Sequence, residues 1–255
     1  MKKLFSLFFC VWSTSLLAAT YETEHFTVQY DDNVPLEIVK KFSQRVENNR
    51  QVVLAYLTQS VEYKGTPIKE RLIANISKKE YIPYQAKNQI YIPEKRVLAA
   101  FGNDQNNAER TGLAVIHELT HVYAVSSYRQ GEEEGKGHRF YDDGLAVFLQ
   151  HRFGESQEYP DFGRDLYQVV AEKALKNKGL VPLADCEKVR NKSESGLGRH
   201  LAYAQEGAFT QFLIERFGFD TYLKIYHGAD IKEVTGESFE ELEIAFAALI
   251  RIIQA

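Results

Sequence analysis

His117-Glu118-Leu119-Thr120-His121 lies inside a run, Leu113 to Ser127, that holds no Pro or Gly and is apolar around the five residues. Such a run is strongly helix-compatible. On an α-helix, positions i and i+4 share a face one turn apart. His117 and His121 can therefore turn two imidazoles toward a single metal ion. Glu118 stands about 100° around the helix from His117, within reach of water beside that ion. Two neutral nitrogen ligands leave zinc Lewis-acidic, and a neighbouring carboxylate can take a proton from its water. The spacing therefore carries the physical logic of a zinc hydrolase. The bland alternative is a core helix whose two His and one Glu merely satisfy hydrogen bonds. Three buried polar groups in one apolar helix are costly enough to favour the metal.

A zinc site of this kind takes a third protein ligand and leaves its fourth position to water. Downstream, Arg139 to Gln150 reads as a second helix, and Asp142 and Asp143 near its start suit a helix N-terminus. Either acid could face the metal until the helix register is known. The pairing of the His-Glu-Leu-Thr-His helix with the segment Phe140-Tyr141-Asp142-Asp143-Gly144-Leu145-Ala146-Val147-Phe148 resembles the gluzincin metallopeptidases, specifically the peptidase MA-like group. The resemblance implies a zincin-like fold and one zinc ion held by His117, His121 and the acid before Gly144. It also implies Glu118 as general base and a peptide or protein as substrate. The family typically carries Glu at the third ligand position, where this chain has Asp143. Asp is one methylene shorter, so its helix must come closer or the ion is held less tightly. Asp142 is the alternative ligand; otherwise it is a first-turn acid worth about 1 kcal/mol or less. The likeness runs from about Ile90 to Ile253. It includes Leu201 to Gly218, similar to the family's Tyr-bearing helix, and Thr235 to Phe246, similar to its last helix. The donor for a developing oxyanion is then expected from Tyr203, with His200 as runner-up.

The chain opens Met1-Lys2-Lys3, continues apolar from Leu4 to Leu17, and offers Ala18-Ala19. That reads as a secretory signal peptide, residues 1–19, too short for a stable membrane span. Its removal shifts the net charge from −4 to −6 by taking Lys2 and Lys3. An acidic chain without a basic patch argues against nucleic acid as a partner. Cys10 would leave with the leader, and Cys186 alone allows no internal disulfide. A bacterial periplasmic or secreted protein with no membrane span after cleavage is expected.

Strand patterns are confined to the first half: His25 to Tyr30, Pro67 to Ser77, Gln89 to Ile92, and Arg96 to Phe101. Leu36 to Thr58 carries a helical apolar stripe. From Asn106 onward the pattern is helical: the zinc helix, the Asp143 helix, 161–178, 183–190, 199–217, 219–227 and 238–253. Strands followed by helices argue an α+β fold. A subdomain of residues 20–138 would back the zinc helix with a sheet, and a helical subdomain of residues 139–255 would supply the third ligand. The Gly-rich, charged stretch Gln130 to His138 joins the two ligand helices. It reads as a solvated connector, or as a cleft rim on which His138 touches substrate. The leading expectation is a zinc endopeptidase. A metalloaminopeptidase and a non-catalytic metal-bearing peptide-binding module are the alternatives, and the intact Glu118 speaks against the last.

Overall fold

A computed structural model of the chain describes residues 19–63, 71–79, 82–102, 112–125, 139–156, 163–192 and 196–255. The expected leader, apart from Ala19, and the Gln130 to His138 connector lie outside the described residues. Among the described residues five strands form one sheet: β1 (Ala19–Glu22), β2 (Phe26–Tyr30), β3 (Leu72–Ser77), β4 (Tyr84–Ala86) and β5 (Gln89–Pro93), in the order β1-β2-β3-β5-β4. β2, β3 and β5 run parallel, while β1 and β4 pair antiparallel at the edges. The period-2 pattern buries Phe26, Val28, Leu72, Ala74, Ile76, Ile90 and Ile92. The parallel step from β2 to β3 needs a crossover, and α1 (Leu36–Leu57) provides it. Its buried stripe is Val39, Phe42, Val46, Val53 and Leu57.

Arg96 to Phe101, expected as a strand, is instead part of helix α2 (Glu94–Phe101). Pro93 closes β5 and occupies the N-cap, and Glu94 sits in the first turn, where acids suit the helix dipole. The apolar residues Val97, Leu98 and Phe101 recur at helical spacing, so the β-formers were outvoted by their flanks. The later described elements are helical, as expected: α3 (Val115–Val125), α4 (Arg139–Phe153), α5 (Leu166–Asn177), a 3-10 turn at Leu183–Asp185, α6 (Cys186–Lys192), α7 (Leu197–Phe217), α8 (Phe219–Tyr226) and α10 (Phe239–Gln254), joined by a short helix that had not been expected, α9 (Ile231–Thr235). The fold is α+β. α3 packs against α1, β4 and β5 on the sheet side and against α4 on the other. α7 is the hub of the helical half, touching α4, α5, α6 and α8. One continuous apolar core runs from Phe26 to Ile250.

The α4–α7 crossing is close because each helix offers a glycine there. A Cβ on Gly144 would fall 2.8 Å from the Glu206 carbonyl oxygen and nearer still to Thr210 Oγ1. A Cβ on Gly207 would meet Val147 Cγ1 at 2.5 Å. Gly144→Ala is therefore expected to destabilise by about 3 kcal/mol, the upper part of the usual overpacking range, because the obstacle is backbone. Urea unfolding measures this directly, and a midpoint shift worth less than about 1 kcal/mol would mean the helices can separate cheaply.

At the far end of the sheet, Glu47 of α1 ties down the β1–β2 turn. It accepts hydrogen bonds from Thr23 Oγ1 (2.6 Å) and the His25 backbone N–H (2.9 Å), and its other oxygen lies 2.9 Å from His25 Nδ1. Partial burial would raise its carboxyl, but these bonds outweigh it and hold Glu47 below the ordinary carboxylate value. A depressed folded pKa means stability present above the unfolded value, near 4.5, and lost as pH falls below it. Glu47→Gln is expected to cost about 1–2 kcal/mol at pH 7. Thermal melts of the two proteins should converge as the pH is lowered; a gap unchanged at low pH would contradict the assignment.

Candidate metal centre

Helix α3 is entered from a constrained turn. Ala114 has φ 56°, a left-handed conformation that costs a non-glycine residue about 1 kcal/mol. Its carbonyl accepts from the Glu118 backbone N–H, and Arg96 Nη1 of α2 donates to the Gly112 carbonyl at 2.8 Å. α2 as a helix thus pins the start of α3, which fixes where His117 falls. Within α3, Leu119 and Thr120 are fully buried toward the core, and Thr120 donates to the Ile116 carbonyl. His117 and His121 are left facing α4, partly buried.

The two imidazoles meet at their outer nitrogens: His117 Nε2 and His121 Nε2 are 3.1 Å apart. Asp143 Oδ1 of α4 stands 3.8 Å from the first and 3.6 Å from the second. A point equidistant from those three atoms lies about 2.0 Å from each, which is the bonding distance of zinc to nitrogen and carboxylate oxygen. Two neutral-capable nitrogens and one carboxylate oxygen are also the donor types zinc accepts. His117, His121 and Asp143 could therefore hold a metal ion.

The register of α4 separates the two acids that the sequence left open. Asp143 faces both outer nitrogens. Asp142 lies behind His121, with Oδ2 3.0 Å from Nδ1. Its other oxygen accepts from the Tyr226 hydroxyl at 3.0 Å. A carboxylate on the rear nitrogen fixes the tautomer that frees Nε2 for a metal, and it raises that nitrogen's basicity.

Electrostatically the cluster favours a cation. Burial alone would push His121 down, but Asp142, Asp143 and Glu118 together lift it to about 9. His117 falls well below its usual value, through burial and then the charges of His121 and Arg190. Burial pushes the Glu118 carboxyl up to about 7, with Asp143 and Asp142 adding to it. Three carboxylates around two imidazoles, most of them shielded from water, compete for positive charge.

Tyr203 of α7 comes to the edge of this cluster. Its ring centroid is 6.5 Å from that of His117, and the guanidinium groups of Arg190 and Arg199 each lie 5.1 Å from it. Arg199 Nη2 reaches the Tyr203 hydroxyl at 3.4 Å. His200 is lowered by burial and then by the charges of Lys173 and Arg199. His25 belongs to the Glu47 network.

Two residues at the centre had not been singled out from the sequence. Arg190 of α6 places Nη2 2.6 Å from Asp143 Oδ2 and Nε 3.0 Å from Glu206 Oε1. Both partners are almost sealed from solvent, Arg190 at 3 % and Glu206 at 0 % exposure. The signal available was Glu206 itself, a charge on the apolar face of Leu201 to Leu213, which demands a buried cation. No family model, curated protein or solved structure matches the chain.

Proposed function

We propose that the chain is an exported, zinc-dependent metallopeptidase of zincin-like fold, hydrolysing peptide bonds. The observation that carries the reading is the convergence of His117 Nε2, His121 Nε2 and Asp143 Oδ1 on one point, with the buried Glu118 carboxylate on the same helix. A zinc ion held there supplies Lewis acidity, acidifying water and polarising a carbonyl. Glu118 takes the proton of the attacking water and returns it to the leaving amine. Tyr203, whose ring lies near His117 and under the Arg190 and Arg199 guanidinium groups, donates from its hydroxyl to the oxyanion that develops on the attacked carbonyl. Asp142 and Tyr226 hold His121 in place and take no part in proton transfer.

The sheet suggests how a peptide is presented. Among the described residues β4 is an edge strand, paired only with β5, and it packs against α3. An extended peptide can pair with an exposed strand edge and be laid along the adjoining helix. The test is metal content by elemental analysis, together with cleavage of a broad peptide library by the parent chain and by Glu118→Gln. One zinc per chain with cleavage lost in the variant supports the peptidase. Metal without cleavage under varied conditions would overturn the enzyme and leave a metal-bearing binding module.

A further inference from the structure

Asp143 has a charged or polar neighbour at each of its oxygens. Oδ1 faces the two histidines, while Oδ2 is 2.6 Å from Arg190 Nη2. A free carboxylate beside a metal can turn both oxygens to it, and one on a short Asp side chain can also swing away. Neither movement is open while Oδ2 is held by a guanidinium that is itself fixed from behind by Glu206. The pair is placed for this. Arg190 comes from α6 and Glu206 from α7, next to the Gly207 that lets α7 approach α4. Glu206 also balances the Arg190 charge, so the guanidinium does not strip negative charge from the ligand cluster unopposed. A second geometric tie runs to Tyr203, over whose ring the Arg190 guanidinium lies.

Resting on the metallopeptidase reading above, we propose that Arg190, backed by Glu206, is a positioning residue that confines Asp143 to one-oxygen ligation. This arrangement lets the shorter acid serve where a Glu is the more usual ligand. Arg190 touches neither metal nor substrate in this scheme; it acts through Asp143.

A buried ion pair can instead be purely structural, and removing one partner alone can unfold a protein. The deciding variant is therefore the double replacement Arg190→Met with Glu206→Met, which removes both charges and keeps apolar volume; such swaps are often neutral or stabilising. Zinc affinity is measured by chelator competition, and the ligand geometry by the visible spectrum of the cobalt(II)-loaded protein, whose intensity falls as coordination rises from four to five. The double variant is expected to melt near the parent temperature, to bind zinc about 10–100-fold more weakly, and to give a weaker cobalt spectrum. A folded double variant with parental zinc affinity and an unchanged cobalt spectrum would overturn the positioning role and leave the metal reading standing. A parent chain that binds neither ion would overturn both.

Discussion

Glu118→Gln is expected to lower peptide cleavage by about 10²–10⁴-fold while the chain keeps its zinc. The substitution preserves the shape of the side chain and removes its ability to accept a proton. Glu118 is not among the three converging donors, so metal content should stay at the parental level. The metal-free protein supplies an independent check. Burial raises the folded Glu118 pKa to about 7, above the ordinary 4.5. A raised carboxylate destabilises the fold as pH climbs from the unfolded value through the folded one, and the cost is complete above it. Metal-free Glu118→Gln should therefore be at least as stable as the metal-free parent at pH 8, with the advantage shrinking toward pH 4. Zinc loss in the variant, or parental cleavage rates, would remove Glu118 from the base role.

What could be seen in the sequence was whatever depends on one helix or strand at a time. The i, i+4 spacing of His117 and His121 is intrinsic to α3, and the stripe from Val39 to Leu57 is intrinsic to α1. The grouping of strands before helices was enough for the α+β class. Asp143 was reachable because it sits near the start of the following helix, in a segment whose glycine has a physical duty: Gly144 lets α7 come within van der Waals contact of α4. What remained hidden depends on where separate helices cross. Whether Asp142 or Asp143 meets the histidines is a matter of α4 register, and the two positions differ by about 100° of helix rotation. Arg190 lies in a seven-residue helix with no periodic signature, and its two partners come from α4 and α7. The short α2 departs from the expected strand for a local reason, since Val97 to Phe101 is apolar enough for either state and only Pro93 and Glu94 decide it.

In the proposed metal site, the close α4–α7 crossing and the Arg190 pair would answer the difficulty raised by a short third ligand. An Asp can replace a Glu if the helix bearing it approaches and if its carboxylate is held toward the histidines. Gly144 and Gly207 bring α7 against α4, and α7 carries Glu206, which fixes the guanidinium that holds Asp143. The same glycine that reads as a motif letter in the sequence is thus a spacing device in the fold.

Asp143→Ala is expected to abolish stoichiometric zinc binding, whereas Asp142→Ala weakens it about 10–100-fold and leaves the metal in place at high concentration. The first removes one of three converging atoms. The Arg190 charge stays balanced by Glu206 at 3.0 Å, but its Nη2 loses Asp143, so Asp143→Asn, which keeps a neutral acceptor there, serves as the control for folding. The second removes the carboxylate behind His121 and also the acceptor of the buried Tyr226 hydroxyl, so it should cost about 1–3 kcal/mol of stability as well. The two variants thus differ in metal content, lost in the first and mostly kept in the second. Asp143→Glu separates geometry from motif. On the motif alone, the longer acid should improve the site. With the three donors already about 2.0 Å from a common point and Oδ2 committed to Arg190, an extra methylene overshoots the point and displaces the guanidinium. Asp143→Glu is therefore expected to bind zinc more weakly than the parent in chelator competition. Tighter binding would mean that the site is not built around aspartate, and metal retained by Asp143→Ala but lost by Asp142→Ala would move the third ligand to Asp142.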